Sequence, residues 1–308
     1  MAARTTTLRT LGLESLEDRD LKAGDVTVFK SGNDLVIIGD SAANEVRIRQ
    51  SLGRLVVEGL NGTEINGRDR AFKEFISGNV RVDLNNGLDK LTVDHETPLL
   101  FHTDLKADLQ VDEVEDVKLF NMDLHGNLDV DLEGVSGRLR MSDFTVEGST
   151  NVHGTGGAQD VEMAAGFFDQ GVTINLAGGG NDDVLLTGVN ADRSINITTG
   201  SGRDDVRVDF FTRIGDDLRI DTGANDDSIF IQAAIITDDL DIDVGGDDNE
   251  VVIDSIIVDD IFLDLDNGGL DVVSIDVEQA DLVEVDADAL DVLNIDDENI
   301  HDLDVIVD

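Results

Sequence analysis

The stretch V-T-I-N-L-A-G-G-G-N-D-D-V-L-L, Val172 to Leu186, decides the fold because it recurs. The next copies are I-N-I-T-T-G-S-G-R-D-D-V-R-V (Ile195 to Val208) and L-R-I-D-T-G-A-N-D-D-S-I-F-I (Leu218 to Ile231). L-D-I-D-V-G-G-D-D-N-E-V-V-I (Leu240 to Ile253) and F-L-D-L-D-N-G-G-L-D-V-V-S-I (Phe262 to Ile275) follow. Each copy is an alternating strand, a turn of Gly, Asn and Asp, and a second apolar stretch. The first apolar residue after each turn sets the period: Val184, Val206, Ile229, Val251 and Val273 are 22, 23, 22 and 22 apart. Val161, Leu139 and Val117 extend the series upstream with degenerate turns, Leu91 begins it, and Leu293 is a weaker copy downstream.

A regular period of this size built from short strands is the signature of a solenoid. Strand side chains alternate, so Leu240, Ile242 and Val244 are predicted to face in and Asp241 and Asp243 to face water. Gly and Asn suit the corners, where the backbone needs positive φ. The expected fold is all-β: a right-handed parallel β-helix, or β-solenoid, of ~22-residue coils with an N-terminal β cap. An antiparallel sandwich is the competing fold, but it does not require a regular period. Residues 81–308 are expected to form about ten coils. Residues 25–80 read as a meander or first irregular coil, in which V-T-V-F, D-L-V-I-I, E-V-R-I-R and R-L-V-V-E are joined by short turns. This segment is expected to cap the solenoid's open end. No comparable cap is visible at the C-terminal end, D-L-D-V-I-V-D.

Composition narrows the function. The 308 residues carry 68 acidic and 22 basic side chains, a net charge of -46. Nucleic acid is excluded as a partner, because phosphate contacts need clustered Lys and Arg. There is no Cys, so neither a thiolate metal site nor a thiol nucleophile is available. No apolar run is long enough for a membrane-spanning helix. The charge is uneven: residues 220–308 hold 25 Asp and 4 Glu with no Lys or Arg, a net of -29. Val and Ile abound, so the chain is read as folded rather than disordered.

Residues 1–24 read as a leader-like segment outside the core, with Arg4 and Arg9 among Thr residues. The run L-E-S-L-E-D-R-D-L-K-A-G-D-V, Leu13 to Val26, resembles the short N-terminal motif of many large exported proteins of planctomycete bacteria, the LEPR-XLL type. Glu14, Leu16, Glu17, Arg19 and Leu21 fit that motif, whereas Lys22 stands where an apolar residue is usual. The resemblance implies an extracellular or cell-surface location.

The turns resemble the RTX nonapeptide, G-G-x-G-x-D-x-U-x with U a large apolar residue. Ala177 to Leu185 matches at Gly178, Gly180, Asp182 and Val184; Thr199 to Arg207 matches at Gly200, Gly202, Asp204 and Val206. Gly223, Asp227 and Ile229 continue the pattern with Asn225 in place of the second Gly, while Asn249, Asp271 and Asp89 hold the Asp position elsewhere. In that family stacked turns bind Ca²⁺ through carboxylates and backbone carbonyls. The resemblance therefore implies several Ca²⁺ ions and, as candidate ligands, Asn181, Asp182, Asp183, Asp204, Asp205, Asp226, Asp227, Asp248, Asn249 and Asp271. RTX repeats are contiguous, however, and here the motif occurs once per coil, on one edge.

Electrostatics supports a cation independently. Carboxylates stacked ~4.8 Å apart repel by ~0.9 kcal/mol in water and more at lower dielectric. A second acidic ladder is expected on outward strand positions Asp221, Asp243, Asp266 and Asp286. Ca²⁺, salt or protons must offset the sum. The alternative is that these residues are solvated and screened.

Catalysis is not expected. Parallel β-helices include polysaccharide lyases and hydrolases, which makes sugar chemistry the alternative class. A lyase needs Arg or Lys beside its carboxylates, and the C-terminal coils have neither. No carboxylate pair stands out for hydrolysis. His95, His102, His125, His153 and His301 lack metal spacing. Of Phe167-Phe168 and Phe210-Phe211, one residue of each pair is expected in the core. The expected function is a non-enzymatic acidic β-solenoid, calcium-stabilised, with a structural or adhesive role. Its expected partners are divalent cations and extracellular polysaccharide or other surface proteins.

Overall fold

The computed structural model describes residues 24–307 except 69–70, 96–101, 133, 135, 266–268, 288–290 and 297. It is all-β, a stack of parallel coils. One column of inward residues runs through it in register: Val46, Leu91, Val117, Leu139, Val161, Val184, Val206, Ile229, Val251, Val273 and Leu293. These are the apolar anchors read from the sequence, with Val46 added ahead of them. A second inward column passes through Leu218, Leu240 and Ile261 on the strands Leu218–Asp221, Leu240–Asp243 and Asp260–Asp264.

Alternation explains the core. In Leu240–Asp243, Leu240 and Ile242 are buried while Asp241 and Asp243 are exposed, and Val244 is buried after them. The same holds coil after coil, so one apolar cluster runs from Val26 to Ala287. Val and Ile fill it because β-branched side chains suit a pleated strand packed on one face. Coils joined this way contact only their neighbours.

From the Val117 coil to the Val251 coil the chain bends by entering the left-handed region. Asn121, Asp143, Ala165, Ala233 and Ser255 have φ of 51, 57, 50, 51 and 55°, each four residues after its anchor. In the strands Asp116–Leu124, Arg138–Val146 and Asp160–Phe168 this residue sits mid-strand, so the strand turns the corner without ending. Phe144 packs against Phe168 with the rings tilted by 57° and their centroids 5.0 Å apart. Gly166 lies directly under the Phe144 ring, where a Cβ would collide with it. Phe168 is buried, as expected for one member of its pair. Phe210 and Phe211 depart from that expectation: both are exposed, at 68% and 78%.

The N-terminal segment combines two pairing modes. Asp34–Ile38 and Glu45–Ser51 pair in parallel with Val80–Asp83 and Lys90–His95, making a first coil. Asp25–Ser31 pairs antiparallel with Asp34–Ile38, and Arg54–Gly59 antiparallel with both Glu45–Ser51 and Phe72–Glu74. Antiparallel pairing among the described residues is confined to this end, where it occupies edges that would otherwise be open. The motif residues Leu13 to Ala23 lie outside the described residues.

Candidate functional site: an aspartate ladder inside the turns

Two residues before each anchor except Leu139 the chain places a polar residue. Two steps along a strand return to the same side, so this residue also points inward. Down the stack the position is Asn44, Asp89, Glu115, Gly137, Gln159, Asp182, Asp204, Asp227, Asn249, Asp271 and Asp291. Asp89 and Asp182 are 0% exposed, Asp271 1%, Asp204 2%, and Asp227 and Asn249 4%. Carboxylates are rarely buried this fully without a partner.

The partner is the neighbouring coil's backbone. The N–H of Asp182 donates to Asp204 Oδ1 (2.8 Å), that of Asp204 to Asp227 Oδ1 (2.8 Å) and that of Asp227 to Asn249 Oδ1 (2.9 Å). Asn249 N–H donates to Asp271 Oδ1 (2.7 Å), and Asp271 N–H to Asp291 Oδ1 (3.0 Å). The series begins upstream with Asn44 N–H on Asp89, Asp89 N–H on Glu115 and Gln159 N–H on Asp182. Each of these acceptors takes its N–H from the coil before it, whereas Gln159 Oε1 is buried without a hydrogen-bond partner. At Gln159 the longer side chain reaches back into the space a Cβ at Gly137 would need, which accounts for the glycine in that rung.

One oxygen of each carboxyl is left over. Among the described residues, Oδ2 of Asp89, Asp182, Asp204, Asp227 and Asp271 is buried without a hydrogen-bond partner. Burial pushes these carboxyls up, against the opposing effect of the N–H each accepts. Asp89 and Asp182 reach about 6 and Asp227 about 7, and Asp204 and Asp271 are raised as well. Around them the turns close tightly. Gly202, at φ +154°, sits where a Cβ would fall on the carbonyl oxygen of Gly180.

The ten predicted ligands thus separate into three columns. Asp182, Asp204, Asp227, Asn249 and Asp271 form the inward ladder. Asn181, Asp226 and Asp248 form an outer one: Arg203 N–H donates to Asn181 (3.0 Å), Asp248 N–H to Asp226 (3.4 Å) and Leu270 N–H to Asp248 (2.9 Å). Asp183 and Asp205 face outward side by side on adjacent strands, and Asp205 pairs with Arg207 at 3.0 Å. A groove of ≈ 460 Å³ follows this edge past Asp205, Asp226, Asp248 and Glu250. Among the described residues no three Asp, Glu or His side chains gather as a ligand set. Any metal here must draw on turn carbonyls.

Sequence reading missed the rungs Asn44, Glu115, Gln159 and Asp291. The signal was available, since each lies two residues before an anchor. On the outward strand ladder one assignment is corrected. Asp221, Asp243, Asp264 and Asp286 are in register, so Asp264 holds the place given to Asp266. Asp266 itself lies outside the described residues. The register steps from Asp243 to Asp264 in 21 residues, one fewer than the repeat.

Upstream, the column of residues just before the anchors alternates in sign: Glu45, Lys90, Asp116, Arg138 and Asp160 are neighbours in register. Arg138 binds Asp160 at 2.6 Å. Lys90 and Arg138 line a groove of ≈ 480 Å³ with Asp89, Glu115 and Asp116. Comparison with protein-family models, curated proteins and solved structures finds no match to this chain, so function must be argued from this geometry.

Proposed function

We propose that the chain is a non-catalytic, acidic β-solenoid scaffold of the extracellular space or cell surface, whose ladder carboxylates take up Ca²⁺ as the coils close. The observation that carries this reading is the row of buried, unpartnered oxygens at Asp89, Asp182, Asp204, Asp227 and Asp271. A buried carboxylate oxygen without a donor needs a cation or a proton. Ca²⁺ accepts oxygen ligands of mixed type, including carboxylate, backbone carbonyl and water. The inward Asp residues would hold it inside the turns, with turn carbonyls completing the shell. Asn249 continues the ladder without adding charge.

Metal uptake and coil closure would then be one equilibrium. That suits a chain that stays expanded where calcium is scarce and closes where it is plentiful, outside the cell. The repeating surface fits a structural or adhesive role toward extracellular polysaccharide or other surface proteins. The alternative, a polysaccharide lyase or hydrolase, gains Lys90 and Arg138 beside carboxylates. Those two belong to a column of alternating charge, and Arg138 is already engaged by Asp160. Product release from polygalacturonate or alginate would revive the enzyme reading.

Thermal melts followed by circular dichroism test the calcium reading. Millimolar Ca²⁺ is expected to raise the melting temperature by roughly 5 °C or more over Mg²⁺ at matched ionic strength. A melt that is the same in Ca²⁺, Mg²⁺ and chelator would sink the calcium role.

A further inference from the structure

Phe210 and Phe211 form a corner of the stack that the core does not explain. Four residues separate Val208 from Arg213, whereas three separate Leu186 from Asn190 and Ile231 from Ile235, their register partners in the coils on either side. This coil therefore carries one extra residue at the bend. Both Phe residues have positive φ, 52° and 61°, a conformation that bulky L residues rarely adopt. The loop is nonetheless pinned. Buried Thr212 donates its hydroxyl to the Asp209 carbonyl (2.7 Å), and Phe211 N–H donates to the Ala233 carbonyl (2.9 Å). The insertion thus holds two aromatic rings in solvent, and neither contributes to the core. Fixed, exposed aromatics of this kind are what interfaces use as anchors.

The surroundings specify the partner. In the next two coils the same bend carries small residues, Ala233 and Ser255, and two residues further on Ile235 and Ile257 are half-buried and in register. An apolar strip thus runs from the Phe pair toward the C-terminal coils. Acids flank it on both sides: Asp209 and Asp254 on the strand side with Gln232 between them, and Asp216, Asp238 and Asp259, linked by backbone hydrogen bonds, on the other. Exposed Arg213 stands beside the Phe pair, and beyond Arg219 the chain has no Lys or Arg at all. An apolar track between flanking carboxylates matches a segment that alternates cationic and apolar side chains. Aromatic faces also attract guanidinium and ammonium groups.

We propose that this corner docks a basic, apolar-studded protein segment, with Phe210 and Phe211 as its anchor. The proposal does not depend on the calcium reading. Fluorescence anisotropy tests it with two labelled peptides, one alternating Arg and Leu and one alternating Arg and Ser. Moderate salt screens the general field. The wild-type chain is expected to bind the Arg–Leu peptide about tenfold more tightly than the Arg–Ser peptide, and F210A/F211A to abolish that difference while leaving Arg–Ser binding unchanged. Equal affinity of wild type and variant for the Arg–Leu peptide would overturn the proposal, leaving only the acidic field. Phe-dependent retention on an insoluble neutral glucan without peptide selectivity would overturn it in favour of a sugar. If F210A/F211A fails to fold, deletion of Phe211 combined with Phe210→Ala, which restores the neighbouring spacing and removes both rings, carries the same expectations.

Discussion

A ladder aspartate does two things that a single substitution can separate. Its Oδ1 accepts the N–H of the preceding coil, and its charge resists burial. Asn keeps the acceptor and removes the charge, as Asn249 already does within the series. Burial raises Asp227 to about 7, so its neutral form is the one the fold prefers. A raised carboxyl contributes stability below its unfolded value, and that contribution is lost as pH rises through the folded value. Melting temperature in chelator is therefore expected to fall between about pH 4 and 7, by roughly 5 °C or more. D204N/D227N is expected to flatten that fall and to raise stability at pH 8. Asp227→Ala is expected to cost ~1–3 kcal/mol at pH 5, because it strands the Asp204 N–H. A pH profile identical in wild type and D204N/D227N would show that these carboxyls are ionised in both states. If Ca²⁺ occupies the ladder, D204N/D227N also loses most of the calcium-induced gain.

At the scale of the element, the coil was legible wherever alternation and spacing agreed. Val184, Val206 and Ile229 stand in register because a period-2 strand and a constant coil length leave one solution. Legibility failed where one of the two slipped. Phe262 to Asp266 reads F-L-D-L-D, and parity in the sequence alone does not choose between Asp264 and Asp266. Only the shortened step after Asp243 selects Asp264. At Phe210-Phe211 the extra residue breaks alternation, so a rule that buries one of two neighbours fails for one of the rings. The Asp pairs of the turns were grouped together by motif, although parity alone divides Asp182 from Asp183. The turn itself makes a sharp prediction. Gly245, at φ +69°, would direct a Cβ onto the Gly223 carbonyl oxygen of the preceding coil. Gly245→Ala is expected to destabilise by ~2 kcal/mol or more in a chemical denaturation series, since it combines strain with a backbone collision. A loss below about 0.5 kcal/mol would mean that the turns can separate freely.

Over the whole molecule, the two halves handle charge differently. Upstream, Glu45, Lys90, Asp116, Arg138 and Asp160 alternate along one column, so stacking brings opposite signs together. Downstream, Asp221, Asp243, Asp264 and Asp286 stack like on like. Each such neighbouring pair costs about 0.9 kcal/mol in water at strand spacing, and less once salt screens it. Raising NaCl is therefore expected to slow amide hydrogen exchange in coils beyond Arg219 at least several-fold more than in residues 80–160. Equal slowing in both regions would place the repulsion elsewhere. The asymmetry has the same origin as the peptide selectivity expected at the Phe corner: the basic residues run out at Arg219.

The ladder also has a direction. From Asp182 to Asp291 each inward bond has its acceptor on one coil and its donor on the coil before it, opposite to the outer column at Asn181, Asp226 and Asp248. Under tension along that axis, a coil pulled from the C-terminal side takes its acceptor with it and leaves a bare N–H on the coil that stays. Its own N–H has by then already lost its partner. Each detachment therefore breaks one fresh rung and releases about 22 residues, or roughly 75 Å of slack chain. A stack built this way yields in equal steps instead of failing at once.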